Sequence, residues 1–79
     1  MSPTVFRWRA YRFFFFSREE ERMHIHVECA DGEAKFWVEP EVSLAENHGL
    51  KRAQLTEVEK VVEDRVDEIT QAWREHFRS

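Results

Sequence analysis

Four consecutive phenylalanines, Phe13 to Phe16, constrain this chain more than any other feature of it. In an extended strand successive side chains point to opposite faces, so Phe13 and Phe15 go one way and Phe14 and Phe16 the other. A strand of that kind is buried on both sides. With 79 residues the chain has enough for a single domain, 1–79, and one core. Its own helices can cover one face of the sheet. The other face requires a second copy, a different protein, or a segment folded back over it.

Composition removes several alternatives. The one cysteine, Cys29, makes an internal disulfide impossible, which excludes a secreted disulfide scaffold. Apolar residues at 42%, with 14% aromatic, are too abundant for a disordered chain. No apolar run exceeds Phe13–Phe16, so a bilayer span is excluded. Met1-Ser2-Pro3 leads straight into strand-like sequence, so no signal peptide is expected and the cytoplasm is the expected compartment.

The first strand is expected over Thr4–Trp8 and the second over Tyr11–Ser17, joined by a tight Arg9-Ala10 turn. Residues 17–22 are polar and read as a loop. His24–Cys29 is a third strand and Ala34–Glu39 a fourth, ended by Pro40. Asp31-Gly32 between them is a hairpin signal, because glycine supplies a positive φ. A two-residue turn there pairs Cys29 with Ala34, Val27 with Phe36 and Ile25 with Val38, all apolar and all on one face. The opposite face then pairs Glu28 with Lys35, His26 with Trp37 and His24 with Glu39.

Ser43–Glu46 reads either as a helical turn or as a short extended edge. From about Lys51 the period is helical, with Leu55, Val58, Val62, Val66, Ile69, Trp73 and Phe77 on one stripe. One helix over about 51–77 would overhang a small sheet, at 1.5 Å per residue. A break is therefore expected between Glu63 and Asp67. The expected fold is α+β: a four-stranded antiparallel meander over about 4–39 with one or two C-terminal helices on one face.

Charge is distributed unevenly. Residues 1–27 carry five arginines against three glutamates, and residues 28–79 carry seven Lys/Arg against 13 acids, for a total of −4. A protein coated in nucleic acid would be basic throughout. Here only the N-terminal strands can hold an anion.

His24, His26 and Glu28 alternate onto one strand face. Two imidazoles beside a carboxylate can close on a divalent metal, and the third ligand is Glu28, Glu39 or His48. The same histidines can act without metal, as general acid and base in cleaving RNA, with Arg7, Arg12 and Arg22 on the phosphate. Arg7 faces Arg12 across the first hairpin, which is unfavourable unless an anion or an acid lies between them. The plainest alternative is a face whose histidines only pack. Phe14, Phe16 and Trp37 are the candidate partner interface, because they lie on the side the helices do not cover.

The segments Ser2-Pro3-Thr4-Val5, Tyr11–Phe16, Met23–Val27, Glu33–Trp37, Ala45–Leu50 and Ala72–Phe77 together resemble the bacterial domain of unknown function 4160 family. Many members have Pro-Pro before the first histidine, where this chain has Arg22-Met23. The resemblance implies a toxin–antitoxin module, with this chain as the toxin and a small protein of the domain of unknown function 2442 family, encoded by the neighbouring gene, as its antitoxin. It brings no catalytic residues. The expected partners are thus the antitoxin, a second copy, or RNA as target. The alternatives are a non-catalytic interaction module and a small metal-binding protein using His24 and His26.

Overall fold

The structure is a computed structural model that describes residues 4–16 and 22–77. It contains β1 (Thr4–Trp8), β2 (Tyr11–Phe14), β3 (His24–Cys29), β4 (Gly32–Trp37), β5 (Ser43–His48), α1 (Arg52–Asp64) and α2 (Val66–Phe77). The strands form one antiparallel sheet in the order β1-β2-β3-β4-β5. The class is α+β as expected, but the sheet has five strands instead of four.

The added strand is the ambiguous Ser43–Glu46 segment. Its register on β4 shifts between Lys35 and Phe36, which pair with Glu46 and Leu44 and leave Ala45 as an extra residue. A bulge of this kind breaks the two-residue period by which a strand is recognised. The exposed edge position also removes any need for apolar alternation.

The β1–β2 turn is the tight Arg9-Ala10 connection, with Arg9 at φ 54° and Arg7 directly opposite Arg12. β2 leaves the sheet after Phe14, sooner than the expected end at Ser17, which lies outside the described residues with 18–21.

The third and fourth strands pair, but in a register two residues from the expected one. Cys29 faces Gly32, Val27 faces Ala34 and Ile25 faces Phe36, so the turn is Ala30-Asp31 and β4 begins earlier. Neither turn residue has positive φ. Gly32, now the first residue of β4, does carry a positive φ, 157°, and it meets a second need: a Cβ there would collide with the His48 carbonyl of β5. A two-residue shift changes partners without exchanging faces, so Ile25, Val27, Ala34, Phe36 and Val38 are all buried on the core side.

The helices lie on that side. Val58, Val62, Ile69 and Trp73 from the expected stripe are buried, with Phe6, Tyr11, Phe13, Phe15 and Leu50 in the same cluster. The helical run breaks at Arg65, inside the expected window. Its N–H still reaches the Val61 and Val62 carbonyls, and its guanidinium lies over the Phe6 ring at 4.3 Å. The start of α1 is tied to the sheet by Gln54, which accepts from the Lys51 N–H at 2.8 Å and donates to Asp31 at 2.9 Å. Removing both bonds in Gln54→Ala is expected to cost about 1 kcal/mol, read as a lower urea midpoint at unchanged slope.

Tyr11, packed under α1, has its phenol pushed above the ordinary value of 10.0, first by burial and then by Glu57, Cys29 and Asp31, against an opposing hydrogen bond with Gln54. The fold therefore holds this proton more tightly than the unfolded chain does. Its contribution is complete below the unfolded value of 10.0 and is lost as pH rises from there through the folded value. Stability is expected to fall in that alkaline window, and urea midpoints for Tyr11→Phe should fall less steeply there.

Candidate functional site on the open sheet face

Strand alternation and register build the face opposite the helices as three cross-strand rows. Arg7, Arg12, Glu28, Glu33 and His48 form the first; Thr4, Phe14, His26, Lys35 and Glu46 the second; His24, Trp37 and Ser43 the third. Among the described residues no helix packs over the first two rows.

The Arg7–Arg12 pair is relieved from the side. Arg12 donates to Glu28 at 2.9 Å and to the Thr4 hydroxyl at 2.7 Å, and it lies over the Phe14 ring at 4.4 Å. Glu28 is the acidic partner that the facing arginines require. Arg22 belongs to the far end of the face, 4.2 Å above the Trp37 ring, with Nε donating to the Glu39 carbonyl at 3.0 Å. Thus Arg7 and Arg12 are neighbours, and Arg22 stands two rows away.

His24 and His26 are brought together, with ring centroids 5.0 Å apart; His24 is buried and His26 half-buried. His24 is 1% exposed, against rings of Trp37 at 5.7 Å and of Trp73 from α2 at 5.2 Å. Its Nδ1 lies 2.8 Å from the Arg22 carbonyl. A carbonyl only accepts, so Nδ1 carries the proton. His26 is stacked on Phe14 at 5.5 Å and capped by Phe16 at 4.3 Å, which closes its Nε2 from solvent.

As for a metal, Glu28 is engaged by Arg12, Glu39 lies near the Met23 N–H at 3.4 Å, and His48 approaches Glu46 at 3.5 Å. Among the described residues no three His, Cys, Asp or Glu side chains group in a way that would hold a metal ion.

The candidate interface residues divide. Phe14 is covered by Arg12, Phe16 and His26, and Trp37 carries Arg22 and Lys35 on its ring. Phe16 is 43% exposed. It rims a small cavity of about 90 Å³, lined also by His26, Glu33, Lys35, Glu46 and His48. The acidic side of that cavity was missed from sequence because Glu46 and His48 belong to the unassigned strand. Strand alternation alone does put Glu28, Lys35 and, once the turn is placed, Glu33 on this face.

No helix among the described residues is long and apolar enough to cross a membrane. A search of curated proteins and a search of solved structures found no match. A protein-family profile described as Domain of unknown function (DUF4160) matches residues 10–74. That match runs from the first hairpin turn to the last helix, and the chain belongs to the DUF4160 family.

Proposed function

We propose that this chain is the toxin of a bacterial type II toxin–antitoxin pair, acting in the cytoplasm and held by a small antitoxin protein on the open face of the sheet. The observation that carries the reading is Phe16, 43% exposed, on the side of the sheet opposite the core, where α2 reaches only the His24 end. Aromatic side chains are enriched at protein–protein interfaces. The family's expected gene neighbour supplies the candidate partner.

Two modes of action are open to such a toxin, cutting RNA or blocking translation by binding. Burial of His24 and the commitment of its Nδ1–H to the Arg22 carbonyl favour binding, since a general acid or base must reach the proton it moves. The non-catalytic interaction module is thus the second reading, and in it His24 and His26 are packing residues.

Expression of the chain alone is expected to arrest growth, and co-expression of the neighbouring gene's product to restore it. Unimpaired growth without the neighbour removes the toxin reading. His26→Gln is expected to keep the arrest. Its loss at an unchanged thermal midpoint would return His26 to a catalytic role.

A further inference from the structure

The helix side of the sheet has a groove where the β4–β5 connection passes the junction of α1 and α2. It is a shallow cavity of about 500 Å³ lined by Val38, Pro40, Glu41, Val42, Glu63 and Val66. Val38 is 5% exposed, and Val42 and Val66 are half-buried against the same core. These valines are the floor, and Pro40 adds a fourth apolar surface. Glu41 and Glu63 are exposed at the rim. Neither carboxylate has an ion pair or a hydrogen bond among the described residues.

The charge beside this groove is mostly of one sign. Residues 59–68 carry Glu59, Glu63, Asp64, Asp67 and Glu68 against Lys60 and Arg65. Arg65 is committed elsewhere, over the Phe6 ring at 4.3 Å and 3.6 Å from Glu68. Lys60 lines the neighbouring cavities and not this one. A cleft with one sign of charge on apolar walls focuses its field and draws the opposite charge. The valines call for methylene groups and the carboxylates for a cation. Lysine and arginine side chains supply both, as a long apolar stem with a charged head. We infer that this groove docks a basic, aliphatic segment of a partner protein. A Lys or Arg stem lies along Val38, Val42 and Val66, and its head meets Glu41 or Glu63.

The volume falls within the about 300–1,000 Å³ of sites that enclose small ligands, enough for a few side chains. A second groove, beside Trp8, sets Arg9 and Lys60 against Glu57 and Asp64 and already holds the Arg9–Glu57 pair at 3.1 Å. Charge selects no occupant there. The valine groove lies on the opposite side of the sheet from Phe16, so it stands independently of the toxin reading and of a partner on the open face.

Titration of isotope-labelled protein with the capped peptide Arg-Leu-Val-Leu-Arg tests this through the methyl shifts of Val38, Val42 and Val66. Saturable shifts of those methyls are expected, with an affinity that falls as salt is added. Glu41→Gln and Glu63→Gln are each expected to weaken binding about threefold, and the double variant about tenfold. Glu75→Gln, at the other end of α2, is expected to leave it unchanged. All three side chains are exposed, so circular dichroism should not change. Peptides with glutamate in place of arginine, or with serine in place of leucine and valine, are expected to bind about tenfold more weakly or less. Unmoved valine methyls, equal binding of either control peptide, or full affinity in the double variant overturns the inference. Shifts of the same methyls on concentrating the protein without peptide would assign the groove to a second copy and overturn it as well.

Discussion

Gly32→Ala is expected to unfold most of the protein or to detach β5, with a loss of about 3 kcal/mol or more for strain that has no exit. The added Cβ would collide with the His48 carbonyl and lie 2.9 Å from the Gly49 Cα and 3.0 Å from its carbonyl carbon. All three are backbone atoms. They belong to the last residue of β5 and to Gly49 just after it, and the strand is held to β4 by the Glu33–His48 pair, so the obstacle cannot rotate away as a side chain would. Gly49 has the reciprocal constraint: φ is 102° and a Cβ would meet the Asp31 carbonyl oxygen at 2.6 Å. A domain of this size has only about 5–15 kcal/mol to lose. Urea midpoints measure the effect, and a Gly32→Ala midpoint equal to that of the parent would show that the two backbones do not cross so closely.

Phe15→Ala and Phe16→Ala, adjacent in sequence, are expected to differ by several kcal/mol. Phe15 is 1% exposed and lies 5.3 Å from the Trp73 ring, 5.8 Å from His76 and 6.0 Å from Phe77. It joins the end of the sheet to α2, and its truncation leaves a cavity costing about 3–5 kcal/mol. Phe16 packs on Phe14 and His26 but is 43% exposed, so its truncation should cost about 1 kcal/mol or less. Its effect should appear instead in association. Equal destabilisation by the two changes would contradict their placement on opposite sides.

That opposition was legible in four letters of sequence, and it persists past the end of β2 at Phe14, with Phe15 in the core cluster and Phe16 on Phe14 and His26. The core side of the third and fourth strands was legible for the same reason, and it survived a wrong register because the error was an even number of residues. The helix break at Arg65 followed from length: one continuous helix would have overrun the sheet. What sequence did not show depended on contacts distant along the chain. Gly32 reads as a turn residue, and its positive φ holds at the start of β4, but the close passage of β5 beside it is a contact no local signal shows. β5 itself is hidden by its bulge at Ala45 and its exposed edge. His24 alternates with His26 and Glu28, which suggests an accessible trio, yet Trp73, nearly fifty residues on, closes over its ring. Arg12 and Glu28 looked like parts of separate sites and are each other's partner.

The central claim is that this protein works through the open face of its sheet. Backbone and side-chain shifts of isotope-labelled protein, dilute and free against bound to the product of the neighbouring gene, test it most directly. The expected changes fall on Phe16, His26, Lys35, Arg7 and Glu33, with the outer helix residues Lys60, Glu63 and Asp67 unmoved. Changes confined to the outer face of α1 and α2, with the open-face residues unmoved, would contradict it.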